Sequence, residues 1–301
     1  MIIAKILKPA ILIIVMLSLI NISYSISFAT NIQLSDEAIQ NKINKVEAEI
    51  NGIEYDEMAK ARNEIKTKKC TKNEQELIVN KHKKESINKT DKVLKKYGFV
   101  PLESNEDNLV QIQSYSSDIQ IQDFAYIDPS TGLFRFQGVW NWTDGKWDAL
   151  YDIEDYAAVR MTNTTGYQIY SSFAKTFDEA GNQTGYVNNY GNHSPSNSKV
   201  TKRFEDLSGV VYNLIDINYY VGTGPYLYQT DSGIITQYIK KTTGGYNKIF
   251  LDFHHNYKKY SWNTTASVNN VGLNGAGYAL TVSYSHSNHT WQRTSGGKTL
   301  N

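Results

Sequence analysis

Five carboxylates fall within twelve residues: Asp144, Asp148, Asp152, Glu154 and Asp155. Such a cluster can hold Ca2+, which takes about six to eight oxygen ligands, or supply the paired acids of a glycosidase. The spacing fits no EF-hand loop, nor the Glu-x-Asp-x-x-Glu pattern of one group of sandwich-fold glucanases. On an extended strand Asp148, Asp152 and Glu154 share a face and Asp155 takes the other. The cluster therefore reads as a solvated acidic edge. Ca2+ in the Asp144–Asp155 region is the alternative to a chain with no cofactor.

Four histidines, His254, His255, His286 and His289, invite a metal reading. Neighbours on a strand point to opposite sides, so His254 and His255 do not reach one ion together, and the gap from His286 to His289 has the same parity. No metal site is expected, a cross-strand site of one histidine from each pair being the alternative. Gly296-Gly297-Lys298-Thr299 imitates the end of a phosphate loop, but Gln292 stands where a glycine is needed, and no helix can follow so near the end. No Gly-x-Ser-x-Gly elbow is present. Cys70 lies between Lys69 and Lys72, outside the region expected to form the β core. Catalytic residues are therefore not assigned, and the chain reads as non-enzymatic.

Three indoles offer a binding surface instead. With a two-residue hairpin turn at Asp144-Gly145, Trp142 faces Trp147, and Trp140 lies two residues along on the same face. Buried, Trp140, Trp142 and Trp147 form a core cluster. Exposed, they form a platform on which sugar rings stack, and they are the candidate ligand-binding residues.

The elements that must position these groups are legible in composition. Residues 30–98 hold 15 Lys or Arg and 12 Asp or Glu; residues 99–301 hold 14 and 18. So sharp a fall in charge density marks a boundary, at Gly98 and Pro101. The opposite net signs suggest attraction between the two pieces. The whole chain carries a formal net charge of +1, which argues against a nucleic-acid binder.

The first 29 residues read as a signal peptide: Lys5 and Lys8, an apolar run from Ala10 to Ile20, then small residues before a cut at Ala29-Thr30. After cleavage no membrane-spanning segment is expected. The mature protein reads as secreted, and its abundance of Ile, Asn, Lys and Tyr suggests a Gram-positive bacterium. Residues 30–98 read as a charged helical arm or a propeptide. Ile39, Ile43, Val46, Ile50 and Ile53 form an apolar seam that could support self-association. Ser35 suits an N-cap, Thr71 to Glu74 a capping box, and Gly98 a helix stop.

Residues 99–301 read as an all-β sandwich or barrel-like domain. Alternation recurs in Val110–Ile112, Ile119–Ile121, Leu133–Phe136, Tyr167–Tyr170, Ile249–Phe253 and Tyr278–Tyr284. Turn sequences separate these runs, at Asp128–Gly132, Ala180–Asn182, Asp231–Gly233 and Asn274-Gly275. Residues 204–217 suit strand or helix. The expectation is a secreted, non-enzymatic β-sandwich protein that binds or decorates the cell envelope, with cell-wall or surface glycan as partner. Two alternatives stand beside it. One is an exported hydrolase of polysaccharide using the Asp144–Asp155 carboxylates. The other is a membrane-active β protein, because Tyr278 to His289 alternates small polar with larger residues, as pore strands do.

Overall fold

The computed structural model describes residues 35–68, 70–102, 119–142, 153–188, 198–216, 218–220, 226–228, 230–256, 265–270, 278–283 and 290–300. The expected signal peptide, Val110–Ile112 and the Asp144-Gly145 and Asn274-Gly275 turns lie outside them. The chain divides into two compact units, Met1–Ile39 and Gln40–Asn301, and every tertiary contact below lies within the second.

Two helices open the described chain: α1, Asp36–Lys68, and α2, Lys72–Lys96. Ser35 Oγ accepts from Ala38 N at 3.2 Å, and Thr71 N donates to the Glu74 carboxylate at 2.8 Å, so both expected caps form. Helix α2 runs unbroken to Lys96, and Gly98 takes φ +86, a left-handed value that glycine adopts without strain. Ile43, Val46 and Ile50 are buried within a single chain. The seam that suggested self-association is thus already covered.

The two helices are clasped by charge. His82 of α2 sits between two carboxylates of α1, with Nδ1 2.8 Å from Glu57 and Nε2 3.2 Å from Glu64. Glu57 also receives Lys60 at 2.6 Å and Lys89 at 2.5 Å. Those lysine hydrogen bonds, with help from His82, hold the Glu57 carboxyl down at about 2 against an ordinary 4.5. A depressed carboxylate stabilises the fold above its unfolded value and loses that contribution as pH falls through its folded value. The contribution of Glu57 is therefore expected to be complete above pH 4.5 and to fade progressively towards pH 2. Far-UV ellipticity followed by acid titration checks this: Glu57→Gln should remove part of the slope in that window.

The β region, beginning at β1 (Val100–Pro101), builds two six-stranded antiparallel sheets. Sheet 1 has the order β1, β2 (Ile119–Asp128), β3 (Leu133–Trp142), β11 (Ser232–Lys241), β5 (Tyr167–Phe177), β6 (Gln183–Val187). Sheet 2 has the order β15 (Thr290–Thr294), β12 (Asn247–Asn256), β4 (Ile153–Met161), β8 (Gly209–Asp216), β7 (Val200–Asp206), with β16 (Lys298–Leu300) also on β12. Two short pairs stand apart: β9 (Asn218–Tyr220) with β10 (Tyr226–Tyr228), and β13 (Thr265–Asn270) with β14 (Tyr278–Ser283).

Alternation decides which residues meet between the sheets. Phe134, Phe136, Trp140, Ile235 and Ile239 of sheet 1 pack with Val159, Leu251, Phe253, Val210 and Leu214 of sheet 2 in one buried cluster. Sheet 1 carries the helices on its other face. Residues 204–217, ambiguous in sequence, resolve at their described positions into the end of β7, a turn at Leu207-Ser208, and β8. A Cβ on Gly209 would lie 2.1 Å from Val159 O, so only glycine lets the turn close against the neighbouring strand.

One expected turn is displaced: the turn and bend fall at Thr230 and Asp231, and Ser232 and Gly233 begin strand β11. The glycine is required because the Trp140 ring leaves no room for a side chain at position 233. A Cβ there would sit 2.0 Å from Trp140 Cζ2.

Candidate functional site

Two of the three expected ligand-binding indoles are placed by strand β3. Trp140 is fully buried and Trp142 is 2% exposed. Both face the space between the sheets, with ring centroids 5.8 and 6.0 Å from Phe253. Their burial makes them core, where no sugar ring reaches them. The third, Trp147, lies outside the described residues. The pairing expected between Trp142 and Trp147 lies outside the described residues with Trp147; Trp142 itself is opposite Ile119 of β2, and Asn141 is opposite Ser232 of β11. With both edges of β3 already paired, the chain leaves sheet 1 after Trp142 and re-enters in sheet 2 as β4.

The acidic cluster is described only at Glu154 and Asp155; Asp144, Asp148 and Asp152 lie outside. Asp155 is no solvated edge residue. It is 1% exposed and accepts from His255 Nδ1 at 2.9 Å on each oxygen. The His255 ring meets Trp142 edge to face at 4.9 Å. Glu154, on the opposite side of the strand, is exposed and accepts from Tyr156 OH at 2.9 Å. His254 and His255 point to opposite faces of β12, as parity demands. His286 and His289 lie outside the described residues. Among the described residues no group of three His, Cys, Asp or Glu is arranged to hold a metal ion. A buried carboxylate–imidazole pair packed against an indole has the makings of a structural lock, and it presents no open face to a substrate.

A further candidate arrangement is the β13–β14 hairpin. It is hydrogen-bonded as a sheet of its own, and it lies over the outer face of sheet 2. There Leu280, 5% exposed, packs with Tyr156, Ala158, Val211 and the partly buried Phe204. Register places Ala266 opposite Val282, Val268 opposite Leu280 and Asn270 opposite Tyr278. The intervening pairs are Thr265 with Ser283, Ser267 with Thr281 and Asn269 with Ala279. In the sequence, the positions that share Leu280's parity in this register are mainly apolar, and the intervening ones are small or polar.

The hairpin also has a defined root. Strands β12 and β15 are neighbours in sheet 2, with His255 opposite Trp291 and Asn256 opposite Thr290. The same two chain segments pair again as β13 and β14, with a register displaced by two residues. The excursion thus leaves from, and returns to, one antiparallel pair. Its sequence signal is plain once sought: residues 260–292 contain no Asp, Glu, Lys or Arg. Alternation alone had pointed only to the second strand.

No protein-family model matches the chain, and no curated protein matches it. Among solved structures, Clostridium perfringens delta-toxin is similar at 8% identity and a TM-score of 0.32, over 65% of this chain and 93% of that one. A structure described as a pore forming protein is similar at 8% identity and a TM-score of 0.28, over 58% of this chain and 84% of its own. The collagen binding subdomain of the Enterococcus faecalis surface protein ACE, ACE19, is similar at 11% identity and a TM-score of 0.25, over 55% and 86%. Likeness at this level assigns neither a family nor an activity to this chain.

Proposed function

We propose that the protein is an exported, non-enzymatic β-sandwich protein that acts on a membrane through its β13–β14 hairpin. One observation carries this reading: a ribbon of alternating sequence that, among the described residues, pairs only with itself lies on the sandwich through Leu280 and is rooted in two adjacent strands. A segment bound in this way can leave the sandwich without breaking a sheet ladder.

Lipid is the environment that suits it. A strand needs about 9–11 residues to cross a bilayer, and 33 uncharged residues between Tyr260 and Gln292 supply two such strands and a turn. One face would meet acyl chains and the small polar face would meet water. A single ribbon has unpaired edges, which hydrocarbon does not tolerate, so hairpins from several copies must pair side by side into a closed barrel.

The test is release of an entrapped dye from liposomes by the full chain. In a Cys70→Ser background, Val211→Cys and Leu280→Cys place a cross-link inside the cluster that holds the hairpin. The oxidised protein is expected to release at least tenfold less dye than the same protein after reduction. Equal release before and after reduction would show that the hairpin stays docked and would overturn the reading. Absence of release by the wild type would do so too.

A further inference from the structure

On the opposite side of the molecule, the face of sheet 1 beneath α1 is chemically unlike the core. Tyr126, Arg135, Tyr238 and Ser171 lie in one row across four strands, directly opposite one another in register. Lys175 stands on the same face, four residues along β5. Arg135 is 1% exposed and Lys175 6%. Arg135 Nε donates to Glu47 at 3.0 Å and NH1 to Gln137 at 2.7 Å, while Tyr238 OH donates to the same Glu47 oxygen at 2.7 Å. Lys175 Nζ donates to Asn51 and Glu54. Glu47, Asn51 and Glu54 recur at spacings of four and three residues, one face of α1.

Helices that stay in place for good are held most economically by apolar contacts, since a buried ion pair gains little over well-packed hydrocarbon. Here, beside the Phe99 and Phe173 rings on Tyr238 and the buried Ile43, Val46 and Ile50 of α1, sheet 1 offers two cations and three hydroxyls, α1 offers carboxylates, and Tyr126 donates to Asp91 of α2. One hydroxyl is left over. Ser171 Oγ is fully buried and has no hydrogen-bond partner, although its residue is directly opposite Tyr238. A carboxylate oxygen already shared by Arg135 and Tyr238 does not satisfy it. A tetrahedral oxyanion, with its larger set of acceptor oxygens, has enough for Arg135, Tyr238 and Ser171 together.

We infer that this face of sheet 1 is a phosphate-binding site, that Glu47 and Glu54 of α1 occupy it as an internal substitute, and that displacement of α1 opens it to a phosphate monoester. The inference is independent of the hairpin reading, because it concerns the other sheet and a different element. The phosphate can belong to a free anion or to a lipid headgroup.

Hydrogen exchange of α1 in the wild-type full chain tests it without relying on any variant. A ligand that binds only the open state raises the population of that state. Inorganic phosphate is expected to accelerate exchange across residues 43–54 at least fivefold, saturably, beyond sodium chloride of equal ionic strength. Vesicles containing phosphatidate, set against phosphatidylcholine alone, separate the sources: acceleration by phosphatidate vesicles assigns a headgroup, and acceleration by inorganic phosphate alone assigns a free anion. Ser171→Ala should raise the phosphate concentration for half-maximal effect about fivefold, read against its own phosphate-free rate. Glu47→Gln with Glu54→Gln should bind phosphate at least tenfold more tightly than wild type. No acceleration by either source, or equal acceleration by chloride, would overturn the site. An unshifted Ser171→Ala response would as well.

Discussion

Arg135→Met should lower the stability of the protein by about 3–5 kcal/mol, read as a lower urea midpoint at unchanged slope. Arg135 sits at the middle of sheet 1, and its guanidinium is one of the two cations that compensate Glu47. Burial by itself pushes the Glu47 carboxyl up. The charges of Arg135 and Lys175, with hydrogen bonds from Tyr238 and Arg135, outweigh it and hold the group below the usual range. Without the guanidinium, a buried carboxylate keeps only part of its compensation. The loss belongs to the orphaned partner rather than to the pair, so Glu47→Leu combined with Arg135→Met should recover most of it. A double-mutant cycle measures the coupling. A cost below about 1 kcal/mol for Arg135→Met would mean that Glu47 is solvated, and that α1 does not lie on sheet 1 in solution.

Trp140→Ala should cost about 3–5 kcal/mol, the range for removing a fully buried large aromatic. Its ring fills the space between Phe253 and the backbone of Gly233, and both boundaries are rigid: one is a core ring, the other a strand without a side chain. The site therefore collapses poorly and the cavity persists. The converse substitution sharpens the test. Gly233→Ala drives a methyl into the indole and should cost about 1–3 kcal/mol. In a Trp140→Ala background the same methyl enters vacated space, so its cost should fall, with an opposing backbone contact 2.6 Å away at Lys175 O setting a residual penalty. Additive costs would show that the ring does not occupy position 233.

These two experiments probe the parts of the fold that were least legible in sequence. The caps at Ser35 and Thr71 and the stop at Gly98 are local, so spacing and residue type sufficed. The same holds for the Asp128–Gly132 turn. There Asp128 accepts from Ser130 N at 3.1 Å, and Gly132 takes φ +67. Strand alternation marked β2, β3, β5, β12 and β14, because residues turned towards the space between the sheets are mainly apolar, while the other face, covered too along β3 and β5, takes polar side chains. At Asp231–Gly233 the turn ends at Asp231, and the glycine read as part of it answers a ring from another strand. Asp155 misled, since it is buried against a partner 100 residues away, His255, which no local spacing reveals.

The arm and the β region differ in net sign, which suggested attraction by overall charge. The contacts run in both directions: Lys42 of α1 reaches Asp128 at 2.7 Å, while Arg135 and Lys175 of the sheet reach Glu47 and Glu54. On α2, Lys83 donates to Asn141 at 2.7 Å and Ser232 at 2.9 Å, with the Asp231 carboxylate 4.0 Å away and pushed by burial up to about 7. Docking of this kind is a matter of individual placement, and a sum of charges does not describe it.

By itself the amino-acid sequence determined that a charge-rich helical segment precedes a turn-punctuated β region, and that the β strands carry alternating faces. Those are properties of single elements, set by helical and pleated periodicity and by residues that start or stop a chain segment. Only the tertiary structure decided that Trp140 and Trp142 are core, that Arg135 and Lys175 on the outer face of sheet 1 already meet carboxylates, and that, among the described residues, β13 and β14 pair only with each other. Each of these depends on which surfaces meet, and surfaces meet through contacts between residues far apart in the chain, to which no local period is sensitive.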